Sequence, residues 1–173
     1  MAIHSAQLII HNNWGTNMVL TAVPLIEEFV PFLDHVFRQN IEVLHGGEIS
    51  VDEWRRYLVG EDADPHEVNF VITADGENAA WLKIHSMNKS IICISMLVVD
   101  DKYKRMGVGS FAVGFAEDFA RGNKKTGVRI QTTADNVAAT RCYLKCGYKI
   151  VREMKYVVGD GVMRDGYEFL KET

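Results

Sequence analysis

Three segments decide how this chain is read. They are Ile91-Ile92-Cys93-Ile94-Ser95-Met96-Leu97-Val98-Val99, then Lys104-Arg105-Met106-Gly107-Val108-Gly109-Ser110, then Asn136-Val137-Ala138-Ala139-Thr140-Arg141-Cys142-Tyr143-Leu144-Lys145-Cys146-Gly147-Tyr148. The first is short, apolar and rich in Ile and Val, which suits a buried strand. After the second, Val108, Phe111, Ala112, Phe115, Ala116 and Phe119 recur at the spacing of one helical face, so the basic turn stands at a helix start. Gly107 and Gly109 have no Cβ, so the backbone there can adopt positive φ and approach a ligand closely. Unpaired N–H groups and the positive end of the helix dipole gather at such a start, and Lys104 and Arg105 add full charges. That combination suits a phosphorylated ligand, although a short glycine pattern alone also fits an ordinary strand-to-helix loop. No Gly-Lys-Ser/Thr occurs in the chain, and Ala112 stands where a dinucleotide fingerprint needs its third glycine.

In the third segment Asp135 or Asn136 is a good N-cap, Ala139, Cys142, Tyr143 and Cys146 share an apolar face, and Gly147 ends the helix at C′. Together, K-R-M-G-V-G and N-x-x-A-x-x-x-Y-x-x-x-G-Y resemble the GNAT acetyltransferase superfamily. The first is similar to that family's Q/R-x-x-G-x-G/A pyrophosphate loop, with Lys104 where Gln or Arg is usual. The second is similar to its C-terminal acetyl-CoA motif. The order strand, loop, helix, strand, helix between Ile91 and Cys146 agrees, and the resemblance spans roughly the last 100 residues.

The resemblance implies a GNAT-like α/β (mixed α+β) fold, with a mostly antiparallel sheet of six to seven strands and about four helices. Residues 1–173 are then one domain, with acceptor-side helices in 1–70 and an acetyl-CoA-binding core in 90–148. It also implies an N-acetyltransferase, an acyltransferase that moves an acetyl group from acetyl-CoA to a primary amine of a small molecule or peptide by direct attack. The alternative on the same fold is a non-catalytic acyl-CoA-binding sensor or degenerate module. Family members often dimerise, so a homodimer is the assembly that the resemblance suggests.

The resemblance assigns cofactor binding to the backbone of Leu97, Val98 and Val99 along the pantetheine arm. The loop Lys104, Arg105, Met106, Gly107, Val108, Gly109 and Ser110 takes the pyrophosphate, and Asn136 and Tyr143 complete the grip. A backbone N–H at the strand end is also the expected oxyanion donor, a role worth about 3 kcal/mol. Tyr143, seven residues after Asn136, is the expected acid for the departing thiolate. Its bland reading is a core aromatic, and that of Asn136 is a plain N-cap. The base is harder to find. An alkylammonium of pKa about 10.4 is neutral in only about one molecule in 10³ at pH 7. Where some members carry a glutamate the chain has Gln131, which cannot accept a proton. His85 is the best remaining candidate, with a water chain to a carboxylate such as Glu28 as another. An acceptor of low pKa needs no base. Cys142 and Cys146 lie at i and i+4 with no further ligands in pattern, so they and Cys93 read as small hydrophobes and no metal site is expected.

The 173 residues and 47% hydrophobic content suit one globular domain with a sizeable core. No apolar run reaches the length of a membrane span and no signal-peptide pattern opens the chain, so no membrane partner is expected. Three cysteines argue against a disulfide framework, and the reading is a cytoplasmic protein. The net charge of −4 is split: residues 1–70 carry 11 acidic and 3 basic residues, and residues 71–173 carry 12 and 16. An acidic half opposite the basic loop favours a cationic amine, unless residues such as Glu27, Glu28, Glu61 and Asp62 are merely solvated. No dense basic run with interleaved aromatics is present, so nucleic acid is not an expected partner.

Along the chain, Ala6 to His11 reads as a strand and Asn12 to Asn17 as a turn, with Trp14 unexplained. From Pro24 an amphipathic helix carries Leu25, Phe29, Leu33, Val36 and Phe37 on one face. Pro31 kinks it or divides it in two. Gly46-Gly47 breaks the chain, and Ser50-Val51-Asp52-Glu53 is a capping box that opens a short helix with Trp54, Tyr57 and Leu58. By resemblance these two helices border the acceptor pocket. Strands follow at Val68–Thr73 and Ala79–His85 around an Asp75-Gly76 hairpin, then at Gly127–Thr133. Tyr148–Val158 and Met163–Leu170 form a last hairpin.

Overall fold

Strands occupy much of the chain, some alternating between buried and half-exposed residues, as in Met18–Val23, and some buried in runs, as in Phe70–Ile72 and Ala79–Leu82. A computed structural model describes residues 6–11 and 17–173. The strands are β1 (Ala6–His11), β2 (Asn17–Pro24), β3 (Val68–Ala74), β4 (Glu77–His85), β5 (Ile91–Val99), β6 (Gly127–Thr133), β7 (Lys149–Val157) and β8 (Met163–Glu172). They form one sheet in the order β1-β2-β3-β4-β5-β6-β8-β7. Every neighbouring pair is antiparallel except β5 and β6, which run parallel. The helices are α1 (Val30–Gln39), α2 (Ile41–Leu44), α3 (Val51–Leu58), α4 (Val108–Gly122) and α5 (Val137–Lys145). The mixed α/β, mostly antiparallel architecture is the one expected.

The strand beyond the expected count is β2. Its residues Met18, Leu20 and Ala22 are buried while Val19, Thr21 and Val23 are not. Pro24 therefore closes a strand instead of opening a helix. A short 3-10 turn, Glu27–Phe29, comes next, and Pro31 sits in the first turn of α1, where its missing N–H is harmless. The division into two pieces is the form the expectation at Pro31 takes. The capping box at Ser50 and Glu53 is present, with the Ser50 N–H donating to Glu53 Oε2 at 2.8 Å. Asp75 and Gly76, at φ 51° and 87°, form the hairpin turn between β3 and β4. The turn expected at Asn12–Asn17, with Trp14, lies outside the described residues except for Asn17, which starts β2.

Each face of the sheet has its own core. On one, Leu20, Phe70, Leu82, Ile92, Ile130 and Phe169 pack against α4 and α5. Phe70 meets Phe115 and Phe119 edge-on at 4.8 and 5.3 Å. On the other, Val71, Trp81 and Val98 pack against Val30, Leu33, Val36 and Phe37 of α1 and Trp54 and Leu58 of α3. Burial of each such large side chain is worth about 1.5–3 kcal/mol.

The sheet splits where β5 meets β6. Pairing runs from Ile91↔Gly127 to Ile94↔Ile130 and stops, although β5 continues to Val99 and β6 to Thr133. Ser95 is the cause. Against β4, Lys83 pairs with Met96 and Ile84 with Ile94, so Ser95 is an extra, bulged residue. A bulge bends the strand and reverses which residues face each side. Ile92 and Ile94 belong to the α4-side core before it, and Leu97 and Val99 pack on that core after it. The result is a wedge between two parallel strands, open at their C-terminal ends. Both α4 and α5 begin just beyond that opening.

Candidate active site

The turn into α4 is shaped for an anion by its backbone. Arg105 and Gly107 both have positive φ, 66° and 92°. Left-handed residues beside right-handed ones turn successive N–H groups toward one point. Gly107 is the N-cap of α4 and supplies no capping side chain. Among the described residues, no backbone carbonyl accepts from the N–H groups of Arg105, Gly107, Val108, Gly109 or Ser110. A Cβ on Gly109 would meet Cys142 Sγ at 3.7 Å and Val99 Cγ2 at 3.8 Å, ordinary contacts, so packing does not require glycine there. Its bare backbone leaves room for a ligand. Arg105 is exposed, and no ion pair engages it among the described residues. Lys104 is already engaged: its Nζ donates to Asn40 Oδ1 at 2.7 Å and pairs with Asp101 at 2.5 Å.

Along the wedge, Leu97, Val98 and Val99 have a strand partner only on the β4 side. Their other edge offers backbone groups to an extended ligand. Asn136 caps α5, its Oδ1 accepting from the Ala139 N–H at 3.1 Å, and this leaves its amide N–H groups for other partners. Tyr143 is buried on α5, edge-on to Phe169 at 5.5 Å. Burial first, and Cys142 and Cys146 next, push its phenol well above its ordinary value, and Tyr156 and Cys93 are near enough to add to this. The phenol therefore keeps its proton at neutral pH. The expectation of buried cysteines holds for Cys93, whereas Cys142 and Cys146 are only half-buried. The Ser110 hydroxyl lies 3.8 Å from Cys142 Sγ, which places that thiol beside the start of α4.

On the opposite face, a cleft of ≈ 630 Å³ lies where the cover of α1 and α3 ends. Phe37, Trp54 and Trp81 wall it on one side and Tyr156 and Gly159 on the other, with Ser95, Gln131, Thr133 and Asn136 also lining it. His85 lines the same cleft, with Ser86 Oγ 2.7 Å from its Nδ1. Burial lowers the His85 pKa, with Glu67 opposing and Arg129 and Lys83 assisting, so its imidazole is neutral at pH 7. Gln131 donates through Nε2 to Glu168 at 2.7 Å, and Arg152 binds the same carboxylate at 3.2 Å. Glu28 is exposed on its turn and does not line the cleft. No other acidic residue of the N-terminal half lines it: Asp52 pairs with Arg55, Asp62 with Arg56, and Glu67 with the lining residue Lys83.

A sequence profile described as "Acetyltransferase (GNAT) family" matches residues 32–148, more than half of the chain. The protein belongs to the GNAT acetyltransferase family. Streptothricin acetyltransferase of Escherichia coli is 26% identical over 102 residues, which cover 58% of this chain and 59% of that relative. The fold is shared with solved structures. Spermidine N-acetyltransferase from Vibrio cholerae, in complex with CoA and spermine, superposes with a TM-score of 0.76 at 15% identity, covering 88% of this chain and 95% of that one. The ribosomal-protein-S18-alanine N-acetyltransferase from Escherichia coli superposes at 0.67 and 19% identity, covering 88% and 93%.

Of the residues expected to hold a cofactor, Gly109 lies against Val99 and against Cys142 of α5, and Asn136 shares the cleft with Ser95 and Met96. Of the aromatic walls, Trp81 and Tyr156 escaped sequence reasoning, whereas Phe37 and Trp54 lie on the two helices expected beside the acceptor. Tyr156 lies on β7 with its ring filling the space that a Cβ on Gly166 would need, 2.5 Å from Tyr156 Cε1. Gly46 similarly lies against the Phe37 ring, where a Cβ would fall 2.4 Å from Cζ. A glycine opposite an aromatic is the available signal, but only once strand register and loop position are known.

Proposed function

We propose that the protein is an acetyl-CoA-dependent N-acetyltransferase that transfers the acetyl group to a primary amine of a small molecule or peptide by direct attack. The observation that carries this reading is the uncapped N-terminus of α4 at the mouth of the β5–β6 wedge, with an open, aromatic-walled cleft on the other side of the same opening. In this reading 1–173 works as one domain, with 90–148 as cofactor core and the N-terminal helices on the acceptor side. When bound, acetyl-CoA supplies the activated acetyl group. The backbone N–H groups of Arg105 and of Gly107 to Ser110 hold its diphosphate, with the Arg105 guanidinium alongside. The free edge at Leu97, Val98 and Val99 orients the pantetheine arm and presents an N–H to the developing oxyanion. Asn136 adds an amide donor.

His85 accepts a proton from the ammonium, directly or through one water. The neutral amine then forms its bond to the carbonyl carbon as the carbon–sulfur bond breaks; Tyr143 gives its proton to the sulfur and regains one from the acetylated nitrogen, which ends as a neutral amide. Gln131 cannot serve as base, and the carboxylate it touches is already bound by Arg152.

Steady-state release of free CoA thiol across a panel of amines tests the proposal. Turnover is expected. Tight acetyl-CoA binding without turnover on any amine would identify a sensor instead, and turnover only with a longer acyl donor would change the donor. The pH dependence tests His85. Since its folded pKa is depressed, the acidic limb of kcat/KM should fall below the usual imidazole value of about 6.5 and vanish in His85→Gln. The same shift makes the fold less stable as pH falls through that range, because the unfolded chain binds the proton more readily.

A further inference from the structure

We infer that the acceptor is an α-amino group: an amine whose neighbouring carbon bears a carbonyl or carboxylate, as in an amino acid derivative or a peptide terminus with an apolar or aromatic side chain. This rests on the acetyltransferase reading and adds the substrate class.

Four observations converge on it. Trp54 is 6% exposed and lines the cleft, yet its indole Nε1 has no hydrogen-bond partner among the described residues. A buried unpaired N–H is destabilising, so an acceptor oxygen that a ligand brings to it is favoured there. Trp81, by contrast, spends its N–H on Asn69 Oδ1 at 2.9 Å.

The walls are aromatic. Phe37 and Trp54 meet edge-on at 5.1 Å, Trp54 and Trp81 at 5.3 Å, and Tyr156 stands in the facing wall. They accept an apolar or aromatic body.

None of the residues lining the cleft is Asp or Glu. Its basic lining groups are Lys83, held by Glu67 at 2.6 Å, and His85. Carboxylates just behind the lining are engaged: Asp135 faces His45 at 3.3 Å, and Glu168 accepts from Gln131 at 2.7 Å. A substrate with several ammonium groups has no free counter-charge inside, whereas a carbonyl or carboxylate oxygen finds donors.

The base is weak and single. The α-amino group of an amide or a peptide terminus has a pKa of about 7.7–8.0, so about one molecule in ten is neutral at pH 7, far more than for a lysine-like amine. A lone neutral imidazole suffices for such an acceptor.

The test compares three amines with acetyl-CoA and the full chain, following CoA thiol release: L-phenylalaninamide, phenethylamine, which lacks only the carboxamide, and spermidine. The expected kcat/KM order is phenylalaninamide, then phenethylamine, then spermidine, with at least about tenfold between the first two. Trp54→Phe, which keeps an aromatic wall and removes the N–H, should cut the phenylalaninamide-to-phenethylamine ratio about tenfold. A thermal melt establishes that the variant is folded, and the wild-type order stands as a measurement if it is not. Spermidine as the best substrate, or an unchanged ratio in folded Trp54→Phe, would overturn the inference and leave the acetyltransferase reading standing. Turnover of none of the three, with acetyl-CoA bound, would overturn that reading and this inference with it.

Discussion

The two halves of the site are built from different material. The anion turn before α4 is a backbone device: positive φ at Arg105 and Gly107, a glycine N-cap and a row of unpaired N–H groups. The acceptor cleft is a side-chain device, with Phe37, Trp54, Trp81, His85 and Tyr156 brought together from α1, α3, β4 and β7. The first depends on a few consecutive residues whose side chains matter mainly by being small. The second depends on residues far apart in sequence whose side chains are everything. One half can therefore remain constant across different acceptors while the other is rebuilt.

The sharpest way to strain this comparison is at the junction. Tyr143→Phe should lower kcat about 10²-fold with cofactor affinity nearly intact, because it removes a proton donor and keeps the packing against Phe169. An unchanged kcat in steady-state assays would remove the phenol from the mechanism. Next comes Gly109→Ala. A Cβ meets only ordinary contacts, and alanine is the better helix former, so the melting temperature should hold or rise slightly. Acetyl-CoA affinity by calorimetry should still fall about tenfold if the ligand lies against that bare backbone, and equal affinity would break the backbone account. On the other side, Gly46→Ala forces the Phe37 ring to move. It should raise the acceptor KM several-fold, about 1 kcal/mol, and leave the KM for acetyl-CoA alone. A change in both would mean that the halves are not separable. Arg105→Ala is the mildest: an exposed charge is worth about 0.2–1 kcal/mol, so the KM for acetyl-CoA should rise by no more than about fivefold, and less at high salt.

The same division explains what could be read from the sequence. Helix α4, its turn and α5 were legible because glycine positions, caps and the 3.6-residue stripe are local signals. The strand β2 was not, because alternation in Met18–Val23 is modest and Pro24 invited a helix start instead. Of the site, the loop residues, Asn136 and Tyr143 were named from the family resemblance and His85 as the base left once Gln131 was set aside, but Lys104 is engaged by Asn40 and Asp101. The partners Trp54, Trp81 and Tyr156 were invisible as a group, since nothing local ties a residue of α3 to residues of β4 and β7. Nor does Ser95 look like an inserted residue until its neighbours are paired with β4.

That serine makes a sharp demand on chain length. Changing its side chain to alanine leaves the count of residues intact, so the gap between the parallel strands should survive. Deleting it would leave Met96 to Val99 opposite the same β4 residues, with Val98 still facing α1 and α3, but would remove the bend and let hydrogen bonding between β5 and β6 zip past Ile94. The pathway for the cofactor's arm would be closed by the sheet's own cohesion, so what keeps this protein open is arithmetic in the backbone.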